Sequence, residues 1–290
     1  MRRRTLLLAA PVMALPLPAA GQGGDTRLTF EARFTTLPLW HRGPIPRIAR
    51  ALGDPGFAWF AGGLHAVQAA GSPASWATLA NNHEAQAYPN ADAIDAGAGN
   101  PFSVVAGALA ITARPMIPAE AALRPPGLAT PYLSGALSTY PFGQTYGTFE
   151  IEAQLPAGRG LWPAFWLLPV DDTWPPEIDV MEVLGHSPGT LYTSLHTRDP
   201  SQPRDQTTAH AVADTSADFH RYTVTWGPNT VSFAFDGRVL ATRPTPADMH
   251  KAFYLVINLA VGGTGSWPGA PDAATVFPAV MRVRAVRVWA

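Results

Sequence analysis

Three carboxylic acids stand close together in one apolar stretch of the sequence. Glu177, Asp179 and Glu182 fall within six residues of a β-prone run. In a strand, Glu177 and Asp179 share a face because side chains alternate with a period of two, whereas Glu182 has the opposite parity. One extra residue at Val180–Met181, a β-bulge, would return Glu182 to that face, and bulges are common beside active sites. We therefore predict a bulged strand with three acids on one face.

Glycoside hydrolysis is the chemistry that needs such a pair of acids. A retaining glycosidase holds two carboxyl groups about 5–5.5 Å apart, one as nucleophile and one as acid/base. We predict Glu177 as the nucleophile, Glu182 as the acid/base and Asp179 as a supporting carboxylate, whose charge keeps Glu182 partly protonated. The alternative is an exposed acidic strand paired with basic residues. The neighbours of these acids are apolar, however, and no lysine or arginine lies nearby.

An aromatic strand precedes the acids and is expected to hold the substrate. In residues 161–168, Trp162 and Trp166 share one face, and aliphatic side chains dominate the other. Indole faces bury the apolar C–H surface of a pyranose ring, so we predict these tryptophans as the floor of a sugar-binding cleft. The alternative is that both fill the core. Trp174, three residues before Glu177, is predicted as a further wall.

Other segments carry amide and aromatic side chains suited to the same site. An amide in an apolar strand needs a partner when it is buried, so Asn258 in residues 253–263 is expected to support the site. We predict Asn82, Asn258 and Trp267 as substrate-binding residues. The loop around Asn82 is also compatible with a simpler role as the cap of a sheet edge.

Composition indicates an all-β fold. The 290 residues include 30 prolines and 26 glycines, which suit many turns and disfavour long helices. Short alternating runs predict a two-sheet antiparallel β-sandwich, and Asp236–Gly237 predicts a type I′ hairpin turn. The polar residues 198–217 are predicted as a loop. A net charge of −1 without a basic stripe argues against nucleic acid and anionic membranes as partners, and without cysteine there is no thiolate metal site.

The N-terminus is predicted to be an export signal. Three arginines precede an apolar run, and small residues at 19–21 offer a cleavage site, which together predict a signal peptide over residues 1–21. Arg3–Arg4 is also compatible with a twin-arginine signal. A membrane anchor needs about 20 apolar residues, and prolines interrupt this run. We predict residues 22–290 as a single catalytic domain that is exported to the periplasm or the extracellular space.

The acidic run at 177–182 resembles the signature E-[IL]-D-x-x-E of glycoside hydrolase family 16, in the bulged form typical of its laminarinase-like members. Residues 146–168 resemble the family's Y-G-x-F-E … L-P-x-G-x-G-L-W-P-A-F-W-L-L, and residues 253–263 resemble its Y-L-x-x-N-L-A-V-G-G. The resemblance covers nearly all of residues 22–290 and implies a β-jelly roll with a concave substrate cleft. It also implies that His196 is the histidine beside the acid/base, where it supports catalysis, and that no cofactor is needed.

The resemblance implies a retaining endo-β-glycanase that acts as a monomer on a polysaccharide, with β-1,3- or mixed β-1,3/1,4-glucan favoured. An exopolysaccharide depolymerase is the alternative substrate class. A transglycosylase would use the same residues and differ in excluding water from the acceptor side. A non-catalytic carbohydrate-binding sandwich would keep the tryptophans but has no reason to keep both glutamates.

The two ends of the chain lead to a prediction about metal. Many members of the resembled family bind calcium through acids of the first strand and an aspartate of the last. Arg284 stands where that aspartate is expected, and Ala32 and Arg33 replace acids of the first strand. Calcium takes about six to eight oxygen ligands, and a guanidinium supplies none. We predict that no metal binds and that Arg284 pairs with Glu31 across adjacent first and last strands.

Overall fold

The computed structural model describes residues 27–41, 57–62, 76–125 and 127–290, so the predicted signal peptide lies outside the described residues. Most of the regular structure consists of short strands. In chain order these are β1 (Leu28–Arg33), β2 (Phe60–Ala61), β3 (Trp76–Ala77), β4 (Gln86–Pro89), β5 (Phe102–Val105), β6 (Ala108–Pro115), β7 (Tyr132–Leu133), β8 (Ala136–Ser138), β9 (Gly147–Gln154), β10 (Leu161–Pro169), β11 (Glu177–Glu182), β12 (Thr190–His196), β13 (Thr208–Ala211), β14 (His220–Trp226), β15 (Thr230–Phe235), β16 (Arg238–Pro244), β17 (Phe253–Val261) and β18 (Ala279–Trp289).

Helical structure is limited to single turns among the described residues. They are a 3₁₀ turn (Ala80–Asn82), α1 (Ala91–Ala93) running into a π turn (Ile94–Ala98), α2 (Pro118–Ala122) and a second 3₁₀ turn (Ala247–Met249). None of the helices in the described part of the chain is both long enough and apolar enough to cross a membrane.

The strands form two packed sheets, which confirms the predicted β-sandwich. The outer sheet has the order β16-β15-β14-β9-β18-β6-β7-β4-β3, with β1 added beside β18 and β5 beside β6. The second sheet, here called the cleft sheet, has the order β13-β12-β11-β10-β17-β8-β2. Pairing between these strands is antiparallel except between β4 and β7. Together the two sheets form a jelly roll.

The main core lies between the sheets and follows from alternation along the strands. In β9, Phe149, Ile151 and Ala153 are buried, whereas the residues between them are partly exposed. From the cleft sheet, Phe165 and Ile178 enter the same apolar cluster. Period-two burial therefore leaves the opposite face of each sheet available for polar side chains.

The central strands of the cleft sheet are buried on both faces. All residues of β17 and nearly all of β10 are buried. One face packs into the core, and on the other Trp166, Tyr254 and Val256 belong to a second apolar cluster. This second cluster supports the floor of the cleft described below.

One predicted loop contains a strand, and one predicted turn is present. Residues 208–211, within the polar stretch predicted as a loop, form β13 at the edge of the cleft sheet, because they pair with residues 190–193 of β12. Asp236 and Gly237 both have positive φ, at 48° and 79°, between β15 and β16. Positive φ at both central residues is what a type I′ turn requires.

The first and last strands are neighbours as predicted, but the predicted ion pair between Arg284 and Glu31 is wrong. The register sets Arg287 opposite Glu31, with Arg287 Nε 3.1 Å from Glu31 Oε1. Arg284 Nη1 instead lies 2.7 Å from Glu152 Oε1 on β9. The register of β1 against β18 decides the pairing, and that register depends on contacts across the whole outer sheet.

Candidate active site

A cleft of about 880 Å³ crosses the cleft sheet on the face away from the core. Its walls come from β10, β11 and β12, from the 78–82 segment and from the loop before β11. The residues predicted from sequence that line it are Asn82, Trp162, Trp166, Trp174, Glu177, Asp179, Glu182, His196 and Trp267. The sequence motifs therefore meet in one cavity.

A bulge in β11 brings the three acids to this face. Against β10, Asp179 pairs with Trp166 and Met181 with Phe165, which leaves Val180 as the extra residue. Against β12 the register also shifts between Asp179 and Glu182. Val180 and Met181 are both buried in the core cluster. The predicted bulge is thus present, and two consecutive apolar side chains face inward where strict alternation would turn one of them outward.

Glu182 sits in an apolar setting with one strong donor. Trp162 Nε1 donates a hydrogen bond to Glu182 Oε1 at 3.0 Å, and the Ser194 hydroxyl is a second partner. Burial, followed by the negative charge of Glu177, raises the pKa of Glu182 to about 7. A carboxyl with this pKa can give up a proton and take one back near neutrality, as an acid/base must.

Glu177 and Asp179 are neighbouring acids, both with raised pKa values. The indole Nε1 of Trp174 donates to Glu177 Oε2, and Asp179 is buried. Burial and the charge of Asp179 raise the pKa of Glu177, and burial and the charge of Glu182 raise the pKa of Asp179. Each acid therefore makes the ionisation of its neighbour less favourable.

His196 supplies the positive charge of the cluster. Its Nε2 lies 3.1 Å from Asp179 Oδ2, and its Nδ1 lies 2.7 Å from Asp205 Oδ1. Burial lowers the pKa of His196, but the hydrogen bonds and charges of the two aspartates and of Glu177 outweigh it and raise the pKa to about 10. His196 is therefore a cation at neutral pH, and it lowers the pKa values of the neighbouring carboxyls.

The same groups have donor atoms close enough to suggest a metal site. One ligand atom each from Glu177, Asp179 and His196 lies within 4.8 Å of the others. A metal-binding histidine must be neutral, because the lone pair on its nitrogen makes the bond, so a metal ion here would have to displace the proton that His196 carries with its pKa of about 10.

Aromatic rings flank both glutamates. Trp174, 48% exposed, bonds Glu177, and its ring tilts against that of His196 at 6.5 Å. Trp267, 44% exposed, meets Trp162 edge-on at a centroid distance of 5.6 Å, beside Glu182. Exposed indole surfaces therefore lie on either side of the acid pair and offer apolar faces to sugar rings.

The tryptophan floor differs from the prediction in one respect. Trp166 borders the cleft, but only 8% of its surface is exposed, and its Nε1 donates to Asn258 Oδ1 at 2.8 Å. Asn258, predicted to bind substrate, does not line the cleft. Asn258 lies beneath the floor of the cleft, where Trp166 and the Tyr88 hydroxyl are the hydrogen-bond partners of its amide. It orients the floor and does not form part of its surface.

Sequence reasoning missed several residues that complete the site. Ser194, on β12 opposite Asp179, lines the cleft and contacts Glu182. Tyr192 packs edge-on against Trp267 with centroids 4.7 Å apart. Both have the same parity on β12 as His196, so alternation along that strand is a signal that could have identified them. Asp205 comes from the stretch predicted as a loop and had no such signal.

Comparison with known proteins agrees with this geometry. Residues 105–279 match the family model described as glycosyl hydrolases family 16. Two proteins of Rhizobium meliloti are similar to the chain. The endo-1,3-1,4-beta-glycanase EglC is 41% identical over 219 residues, which cover 75% of this chain and 46% of that protein. The endo-1,3-1,4-beta-glycanase ExsH is 41% identical over 198 residues, which cover 68% of this chain and 42% of that protein.

The similarity extends to three-dimensional structure. The endo-beta-1,3-glucanase of Pyrococcus furiosus superposes with a TM-score of 0.69 at 30% identity, covering 91% of this chain and 94% of that one. The chain spans less than half the length of the two Rhizobium relatives. It corresponds to almost the whole of the Pyrococcus chain in that structure.

Proposed function

This chain belongs to glycoside hydrolase family 16, and from that membership we propose that it is a retaining endo-β-glycanase. It would hydrolyse internal β-glycosidic bonds of a polysaccharide. The observation that carries the proposal is the bulge in β11, which puts Glu177 and Glu182 on one face of one strand with Asp179 between them. Three acids on one face, of which Asp179 and Glu182 are buried, are costly for stability, and a double-displacement reaction needs such an arrangement.

In the first step, the Glu177 carboxylate attacks the anomeric carbon while the Glu182 carboxyl gives its proton to the departing glycosidic oxygen. The C–O bond to the leaving sugar breaks as the bond to Glu177 forms. In the second step, Glu182 takes a proton from water, the hydroxide attacks the anomeric carbon, and Glu177 leaves as a carboxylate. The pKa of about 7 for Glu182 suits both of its roles.

Asp179 and His196 support the nucleophile. For attack, Glu177 must be ionised, and a proton held by Asp179 would let Asp179 donate a hydrogen bond to the Glu177 carboxylate. The His196 cation, 3.1 Å from Asp179, stabilises the negative charge that the three acids hold together. The structure offers no second basic side chain with this contact among the described residues.

The proposed substrate is a β-1,3- or mixed β-1,3/1,4-glucan. The two Rhizobium relatives are endo-1,3-1,4-beta-glycanases and the Pyrococcus protein is an endo-beta-1,3-glucanase, which supports this substrate class. Trp174 beside Glu177 and Trp267 near Glu182 support internal cleavage, because sugars on both sides of the broken bond would have a ring to pack against. We also propose that residues 1–21 direct export and that the domain acts as a monomer.

The direct test is the release of reducing ends from a panel of purified polysaccharides by residues 22–290. We expect rapid shortening of β-1,3- or mixed-linkage glucan, and nuclear magnetic resonance should show the first product with β configuration. An α product would contradict retention, and chain lengthening would indicate a transglycosylase. No reducing ends from any polysaccharide, including bacterial exopolysaccharide, would contradict the hydrolase.

Glu177→Gln is the matched variant for this test. It should abolish turnover, since the amide is a poor nucleophile, yet keep oligosaccharide binding, because the tryptophans are unchanged. Glu150→Gln, on the opposite sheet, serves as the control and should retain activity. Substantial turnover by Glu177→Gln would make the nucleophile assignment wrong.

A further inference from the structure

One buried carboxyl next to the cleft has no part in the proposed reaction. Glu84 lies between the 3₁₀ turn Ala80–Asn82 and β4, where its backbone pairs with Gly262 at the end of β17. Its side chain is almost fully buried. No basic side chain pairs with it in the part of the chain that the structure describes. Such a group requires other hydrogen-bond partners.

Four donors converge on the Glu84 carboxyl. The amides of Gln86 and, at 3.5 Å, Asn82 donate hydrogen bonds to it, and the backbone N–H of Leu79 and the hydroxyl of Tyr88 also interact with it. Burial raises the pKa of Glu84 to about 7, since the hydrogen bonds only partly offset the loss of solvation. An ionised carboxylate is an acceptor at both oxygens and can serve all four donors.

Two of these donors belong to the wall of the cleft. Leu79 and Asn82 both line it and bracket the 3₁₀ turn. Leu79, at the N-terminal end of that turn, makes no side-chain cap. Backbone bonds of Asn82, His83 and Gly263 hold the turn, and the Glu84 carboxyl accepts from the Asn82 amide. Glu84 therefore fixes the wall from below.

The other branch reaches the floor. The Tyr88 hydroxyl interacts with the Glu84 carboxyl and accepts from Asn258 Nδ2 at 3.1 Å. Asn258 Oδ1 in turn accepts from Trp166 Nε1 at 2.8 Å. Two hydrogen bonds thus connect the indole of Trp166, which lines the cleft, to the hydroxyl that faces Glu84.

We propose that Glu84 is a positioning residue for sugar binding, which holds the Asn82 wall directly and the Trp166 floor through Tyr88 and Asn258. The proposal rests on the proposed function, because it concerns the same cleft. Glu84 itself touches neither the sugar nor the reacting atoms. Its loss should therefore weaken binding of the substrate and spare the chemical step.

Glu84→Gln is the variant that tests this role. The amide has one acceptor oxygen and adds two N–H donors, so it cannot satisfy four incoming donors. We expect KM to rise about tenfold, as for the loss of one or two charge-assisted hydrogen bonds, while kcat stays within about twofold. Glu120→Gln is the matched control, since Glu120 is also a buried glutamate but pairs with Arg114 away from the cleft. It should leave KM unchanged.

Binding without turnover separates this inference from the proposed function. In a Glu177→Gln background, oligosaccharide affinity is measured by tryptophan fluorescence at about pH 8, where the Glu84 carboxyl is mostly ionised. We expect Glu84→Gln to weaken affinity about tenfold. Adding Asn82→Ala to the Glu84→Gln protein should weaken affinity less than Asn82→Ala does alone, because both substitutions act on the same wall. A fall in kcat with unchanged KM, unchanged affinity, or full additivity would overturn the inference.

Tyr88→Phe keeps the test decisive if Glu84→Gln fails to fold. It removes only the hydroxyl that joins the two branches, and we expect affinity to fall about threefold with a change in tryptophan emission. Unchanged affinity would overturn the Trp166 branch. If the wild-type protein releases no reducing ends but binds oligosaccharide through Glu84, the proposed hydrolysis fails and the positioning role stands.

Discussion

The imidazole Nε2 of His196 lies 3.1 Å from Oδ2 of Asp179, and this contact sets the charge balance of the cleft. Asp179 is buried between two other acids, and its own pKa is raised by burial and by the charge of Glu182. The charge of His196 lowers the pKa values of Glu177, Asp179 and Glu182. One cation thus allows three acids to share a site that could not hold three unopposed negative charges.

Replacing His196 by Gln should shift the whole pH profile of kcat/KM toward higher pH. Without the cation, the pKa values of Glu177 and Glu182 both rise, so the acid limb and the alkaline limb move in the same direction. Each unit of pKa increase lowers the ionised fraction of the nucleophile about tenfold on the acid side, and activity falls with it.

The measurement is kcat/KM against pH for this variant and for His186→Gln. His186 is exposed in the turn after β11 and outside the cleft, so its replacement should leave both limbs in place. Unshifted limbs in the His196 variant would contradict the assigned charge balance.

The alkaline limb of the wild-type profile should lie near pH 7. In the proposed mechanism Glu182 must be protonated to help the leaving group depart, and its pKa is about 7, so kcat/KM should fall as the pH rises above that value. Glu182→Gln should slow polysaccharide cleavage by about 10²–10⁴-fold.

A substrate with an activated aryl leaving group separates the acid role from other effects. It needs little protonation, so Glu182→Gln should retain its glycosylation rate, measured as the initial burst of aryl release. The alkaline limb should then be absent from that burst in the variant. An equal loss on both substrates would argue against Glu182 as the acid.

The acids and their bulge were predictable from sequence because the relevant information is local. Glu182 has the opposite strand parity to Glu177 and Asp179, and one extra residue between them is enough to bring all three acids to one face. The spacing places that bulge at Val180–Met181. The turn at Asp236–Gly237 is local in the same sense. The adjacency of β1 and β18 was also predicted, through the family resemblance.

Interactions that depend on long-range register were not predictable. Arg287 and not Arg284 meets Glu31 because the outer sheet fixes the pairing of β1 with β18. Asn258 was placed in the cleft because nothing in its strand shows that Trp166 and Tyr88 cover its amide. In each case the residue type was identified from sequence, but its partner lies far along the chain.

Glu182→Gln should stabilise the protein at alkaline pH. The pKa of Glu182 rises from 4.5 in the unfolded chain to about 7 in the fold, so its contribution is favourable below about 4.5 and is lost as the pH rises through 7. A neutral isostere avoids this loss, which corresponds to about 3 kcal/mol above pH 7 for a shift of this size.

Thermal melts at about pH 5 and pH 8 measure this effect. We expect the variant to gain roughly 5 °C or more at the higher pH and much less at the lower one. Glu120→Gln provides the opposite control, because Arg114 lowers the pKa of Glu120 and the ion pair stabilises the fold above the unfolded pKa. It should lower Tm at pH 8. Equal Tm changes at both pH values would contradict the linkage.

Arg287 should contribute more to stability than Arg284. Arg284 is nevertheless the residue that stands where the resembled family has its calcium-binding aspartate. Arg287 is 19% exposed and reaches Glu31, Glu150 and Glu152, at 3.1, 3.1 and 3.6 Å. Arg284 is 52% exposed and bonds Glu152 alone among the acids, with its guanidinium over the Phe219 ring. Less exposure and more partners mean less screening by solvent.

We expect Arg287→Gln to lower the free energy of unfolding by about 1–3 kcal/mol and Arg284→Gln by less than about 1 kcal/mol, measured by urea denaturation. The loss at Arg287 should include repulsion among Glu31, Glu150 and Glu152, because Arg33 and Arg284 then pair with only the first and the last of them, so added salt should recover part of it. With this cation removed from the acidic cluster, calcium should stabilise the Arg287 variant more than the wild-type protein, whose Tm should not respond to calcium or chelator. A calcium-dependent Tm in the wild-type protein, or equal losses in the two variants, would contradict the assignment of Arg287 as the cation that serves this acidic cluster.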